Sequence, residues 1–109
     1  MILSYTFLNS IFKERNIEWG VVTKLLCGNT LYIKEIADLG VMEMYDSRIS
    51  NLKKIKKLNP NIQTAYIKPP SKENIENVIQ YADVSFNTEI FTIKMLSEEA
   101  KKQNKVHKI

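Results

Sequence analysis

Four short runs rich in β-branched and other apolar residues begin roughly 20-odd residues apart, each followed by a run with helical spacing, and this alternation limits the fold more than any other feature. The first run, 17–24, carries Val21 and Val22 and reads as a strand buried on both faces, as in a parallel sheet. Asn29 or Thr30 can cap the next helix, which extends to Leu39, buries Leu31, Ile33 and Ile36, and stops at Gly40 in the left-handed conformation glycine favours. The second strand is 41–45. Asp46 and Ser47 then cap a helix whose buried face is Ile49, Leu52, Ile55 and Leu58, closed by Pro60. The third strand, 62–67, is stopped by Pro69 and Pro70, which cannot donate to a sheet ladder. Ser71 caps a helix that buries Ile75, Val78, Ile79 and Ala82. After a very short strand at 84–86, Asn87 or Thr88 caps a last helix through Gln103 that buries Ile90, Ile93, Leu96 and Ala100. Residues 106–109 begin a fifth strand. Ahead of all this, 2–15 is a helix with Leu3, Phe7, Leu8, Ile11 and Phe12 at helical spacing and Asn16 as its stop.

Repeated βα units imply a parallel sheet with every strand's carboxyl end on one rim, where Lys24, Asp46, Lys68 and Asn87 fall. Polar residues on such a rim are how a site is built on a (β/α) barrel. A closed eight-stranded barrel takes roughly 250 residues, so four βα units are about half of one. The expected fold is α/β, a partial (β/α)8 TIM barrel, with 1–109 as one partial domain, the N-terminal half of a longer barrel. Its open sheet edges predict self-association.

Composition fits one small globular domain, with 44% apolar and 26% charged residues among 109. The net charge of +4 comes mostly from lysines at 53, 54, 56 and 57 and at 101, 102, 105 and 108. Without an accompanying aromatic or arginine cluster these read as solvated helix faces, so no nucleic-acid partner is expected. One cysteine, Cys27, fits a reducing cytoplasm and leaves no internal disulfide. The apolar start (Met1, Ile2, Leu3, Phe7, Leu8) has no leading positive charge and is interrupted by Ser4, Thr6, Asn9 and Ser10. It is neither a signal peptide nor a membrane span, and a cytoplasmic location is expected. The one histidine, His107, lies in the last strand with no acidic or cysteine cluster at ligand spacing, so no metal site is expected. Trp19 and the tyrosines at 32, 45, 66 and 81 read as packing residues.

The stretch 20–29 carries the chemistry. It places Lys24 at the end of the first strand, before the turn at Gly28. One reading is an amine snorkelling to water; the other is a partly desolvated amine that condenses with a carbonyl as a Schiff base.

Three segments, Val22-Thr23-Lys24-Leu25-Leu26-Cys27-Gly28-Asn29, Tyr45-Asp46-Ser47-Arg48-Ile49-Ser50-Asn51-Leu52 and Tyr81-Ala82-Asp83-Val84-Ser85-Phe86-Asn87-Thr88-Glu89, resemble the alanine racemase-like family of pyridoxal-phosphate enzymes, most closely its ornithine racemase-like branch. The resemblance implies a TIM-barrel domain of fold type III, pyridoxal phosphate held by Lys24 as an internal aldimine, and an amino-acid substrate whose α-proton Lys24 exchanges. It also implies that Asp46, Ser47, Arg48, Lys68 and Asn87 lie near the cofactor. Relatives carry an arginine near the end of the third strand, and Lys68 keeps that charge without the planar fork. The tyrosine and Gly-His pair that follow the lysine in alanine racemases proper are replaced by Leu25-Leu26-Cys27-Gly28. Late-strand phosphate loops and a second acid/base group fall outside the four units, so the chain by itself is expected to be inactive. The alternatives are a non-catalytic carrier of pyridoxal phosphate and a half barrel acting as an interaction module.

Overall fold

The computed structural model describes residues 2–109, and side chains from residue 4 onward. The apolar roles expected of Met1, Ile2 and Leu3 lie outside the described residues. The elements run α1 (Ile2–Glu14), β1 (Val21–Val22), a 3-10 turn (Lys24–Leu26), α2 (Thr30–Asp38), β2 (Glu43–Asp46), α3 (Ile49–Leu58), β3 (Gln63–Tyr66), a second 3-10 turn (Lys72–Asn74), α4 (Ile75–Tyr81), β4 (Val84–Ser85) and α5 (Ile90–Lys102).

The strands form one parallel sheet in the order β1-β2-β3-β4, with Val22 level with Tyr45, Asp46 with Tyr66, and Tyr66 with Ser85. This is a mixed α/β architecture compatible with part of a barrel. Successive side chains of a strand point to opposite faces, and the two faces fare differently. Thr23, Met44, Asp46, Thr64, Tyr66 and Ser85 are all buried on the helix side, beside a core of Ile33, Leu52, Ile55, Val78, Ile79 and Leu96. On the other face Val22 is 44% exposed and Phe86 53% exposed, while Glu43, Tyr45, Gln63 and Val84 are half-buried and Ala65 is buried. Burial on both faces, expected for β1, is therefore not found, because helices cover a single side of the sheet.

Most helix boundaries follow the sequence, with reasons visible in the backbone. Asn16 (φ 55°) ends α1 and Gly40 (φ 100°) follows α2, both in the left-handed region. Asn29 Oδ1 accepts the backbone N–H of Leu31 at 3.0 Å and caps α2. Ser71 opens the second 3-10 turn, its N–H donating to Asn74 Oδ1 at 2.9 Å. The fifth strand is present as one parallel bridge, Val84 to Lys108.

Some expectations fail. β1 spans two residues and not eight, because the chain turns into the 3-10 segment at Thr23. Leu31 and Ile90 are each 74% exposed, since both sit in first helical turns that no other layer covers. α5 begins at Ile90 with Glu89 at its cap position, because the Asn87 amide is turned back to Ser85. The lysines at 53, 54 and 56 are not simply solvated: Lys53 lies 5.6 Å over the Tyr81 ring, Lys54 reaches the Gly28 carbonyl, and Lys56 pairs with Asp83. No helix among the described residues is long and apolar enough to cross a membrane.

Candidate active site at the strand ends

Parallel register brings the carboxyl ends of the four strands to one rim, and each marked residue sits at or just beyond one of them. Lys24 is the first residue of the turn after β1, Asp46 the last of β2, Lys68 lies two residues past β3 and Asn87 two past β4. Lys24 and Asn87 follow strands three spacings apart, roughly 14 Å on sheet geometry, so the rim is a row and not a single cluster.

Lys24 is exposed, and among the described residues its amine has no hydrogen bond or ion pair. Of the two readings of this amine, the structure shows the one open to water, because β1 is an edge strand and the Lys24 side chain is left uncovered where the turn begins. Asp46 is fully buried: Oδ2 accepts from Thr23 Oγ1 at 2.8 Å and Asn51 Nδ2 at 3.1 Å, and Oδ1 accepts from the Arg48 N–H at 2.8 Å. Its carboxylate faces the helix layer. Ser47 is half-buried, and the side chains of Arg48 and Lys68 are exposed.

At the β4 end, His107 Nδ1 lies 3.1 Å from the Ala82 carbonyl, which can only accept, so Nδ1 carries the proton. His107 Nε2 therefore accepts from Ser85 Oγ at 2.7 Å. Burial pushes the imidazole pKa down from 6.5. Asn87 Nδ2 donates to Ser85 Oγ at 3.0 Å and to the Ser85 carbonyl at 3.1 Å, leaving Asn87 Oδ1 buried without a partner among the described residues. On the open sheet face Tyr45 donates to Glu43 Oε2 at 3.1 Å, and burial, reinforced by that carboxylate, raises the phenol pKa. Gly20 lies over this ring, where a Cβ would come within 2.8 Å. Among the described residues no group of three or more His, Cys, Asp and Glu gathers that could hold a metal ion.

Two residues at the rim, Thr23 and Asn51, stand in the segments that carry the resemblance but receive no site role from it. Thr23 reads as an ordinary strand residue beside the lysine, and Asn51 as one polar position in a helix. The available signal is that Asn51 directly precedes Leu52 on the face that α3 buries, where an amide needs a partner.

No family model matches the chain. The ornithine racemase of Acetoanaerobium sticklandii is 36% identical to it over 104 residues, which are 95% of this chain and 29% of that protein. The chain is similar to that ornithine racemase over nearly its whole length. It spans less than a third of the length of that curated relative. The similarity covers the described strands and their rim, since all but a few of the 109 residues align.

Proposed function

We propose that this chain supplies the cofactor-lysine part of a pyridoxal-phosphate-dependent amino-acid racemase, with Lys24 holding the cofactor. The observation that carries the reading is the unpartnered, exposed amine of Lys24 just past β1, at the end of a parallel α/β sheet where ligands bind. The donor set fits a group bearing an aldehyde and a phosphate. A free primary amine stands just past β1, and exposed cations stand at Arg48 and Lys68.

The chemistry supplied by the bound cofactor is uptake into its ring of the electron pair left when an α-proton departs. Lys24 holds the cofactor at Nζ and, when its amine is free, moves the α-proton at the same atom. Arg48 and Lys68 offer charge to a phosphate or to a substrate carboxylate; Lys68 does so as a point charge without a bidentate fork. Ser47, next to Asp46 and Arg48 in the chain, is a further hydroxyl at the β2 end. The isolated chain is not expected to racemise, since an amine open to water exchanges its proton with solvent, whereas catalysis of this kind works in a site that excludes water.

The test is incubation with pyridoxal phosphate, reduction with borohydride and peptide mass mapping. The expected result is a pyridoxyl group on Lys24 in preference to the other exposed lysines, abolished by Lys24→Ala with their labelling unchanged. Labelling spread evenly over surface lysines would sink the assignment.

A further inference from the structure

Thr23 leaves the extended conformation at φ −98°, ψ −1°, so the course of the chain into Lys24 is set at this one residue. That αR conformation turns the chain away from β1, and contacts at this residue decide how firmly the turn is held. Thr23 has them. Its N–H donates to the Tyr45 carbonyl at 2.9 Å and its Oγ1 to Asp46 Oδ2 at 2.8 Å.

We propose that Thr23, Asp46 and Asn51 are positioning residues, a buried clamp that fixes the Lys24-bearing turn from both ends; this rests on the assignment of Lys24 as the cofactor lysine. Thr23 and Asp46 are fully buried and Asn51 is 4% exposed. Asn51 serves both ends of the turn. Its Nδ2 donates to Asp46 at the start, and its Oδ1 lies 2.6 Å from where a Cβ on Gly28 would stand, so the end of the turn rests directly on it. Gly28 has φ +71°, which favours glycine independently, and its carbonyl accepts from Lys54 Nζ at 3.5 Å. Between these anchors Lys24, Leu25 and Cys27 are exposed. The direction of the amine is therefore inherited from residues 23 and 28, and both are tied to β2 and α3.

A network that served stability alone would change the melting temperature and leave the relative reactivities of lysines in the folded chain as they were. A positioning network changes Lys24 selectively. The test uses the full chain and its Thr23→Val and Thr23→Ser variants under conditions where all are folded, each treated with pyridoxal phosphate and borohydride. The readout is labelling of Lys24 relative to Lys72, an exposed lysine on a different segment. Thr23→Val is expected to lower that ratio by about 10-fold or more, and Thr23→Ser, which keeps the donor, to restore it. An unchanged ratio in Thr23→Val overturns the clamp while leaving Lys24 assigned. Absence of Lys24 labelling in the unmodified chain overturns the assignment instead, and hydrogen exchange at the Leu26 and Asn29 amides, both bonded within the turn, then decides the clamp. Faster exchange in Thr23→Val with recovery in Thr23→Ser supports it; equal exchange overturns it. Should Thr23→Val fail to fold, Asn51→Ala, which keeps the Thr23–Asp46 bond and cuts the link to α3, is read in the same two ways.

Discussion

His107 shows how far a residue's role depends on what surrounds it. From sequence it is a lone histidine near Ile109; in the fold it is a neutral imidazole locked between the Ala82 carbonyl and the Ser85 hydroxyl. Burial lowers its pKa from 6.5. As pH falls the unfolded chain therefore takes up the proton first, so the stability tied to the neutral ring is fully present above pH 6.5 and is lost progressively below it, toward the lowered folded value. Urea unfolding on either side of pH 6.5 should show the folded state weakening in this window, and His107→Gln should lose that part of the slope. Identical pH profiles for the two proteins would refute it. Asp46 teaches the same lesson. It was legible as a polar strand end, but its partners, Thr23 and Asn51, come from β1's end and from α3, and no local pattern pairs residues 23, 46 and 51.

At the scale of elements the sequence was a good guide, because capping and periodicity are local. Asn29→Ala removes the acceptor for the Leu31 N–H and should cost about 1 kcal/mol, measured as a shift in urea midpoint at constant m-value. Leu52→Ala empties a fully buried position of α3 against β2 and β3 and should cost about 2–5 kcal/mol, enough to unfold a marginal domain at moderate urea. A cost below that of the cap variant would mean that Leu52 is not core. What escaped element-level reading is cross-element chemistry. Asp83 Oδ2 accepts from the Thr64 N–H at 2.9 Å and pairs with Lys56, whose Nζ also donates to the Ile62 carbonyl at 2.8 Å. One member of a lysine run read as solvent-facing thus ties α3 to the amino ends of β3 and β4, as Asp46 ties α3 to β1 and β2 at their carboxyl ends.

For the whole molecule the decisive feature is a parallel sheet with helices on one side and an open second face. Val22, Leu25, Leu31, Phe86, Ile90 and Phe91 are all exposed apolar side chains on that face or the rim. Such surface favours association. Sedimentation velocity should show mass rising with protein concentration, together with binding of a hydrophobic dye, and Leu25→Lys with Phe91→Lys should weaken both. A monodisperse monomer that binds no dye would count against it. The sequence by itself determined the alternation of strand and helix, the parallel order it implies, the rim on which Lys24, Asp46, Lys68 and Asn87 stand, and the likeness to an ornithine racemase. These follow from spacing, caps and motifs, which act over a few residues. Only the tertiary structure decided which side of the sheet is buried, that Lys24 is exposed, and that Asp46 faces the helices to hold Thr23 and Asn51. Those outcomes depend on which elements cover one another, and a hydrogen bond such as Thr23 to Asp46, 23 positions apart, leaves no periodic trace in the chain that forms it.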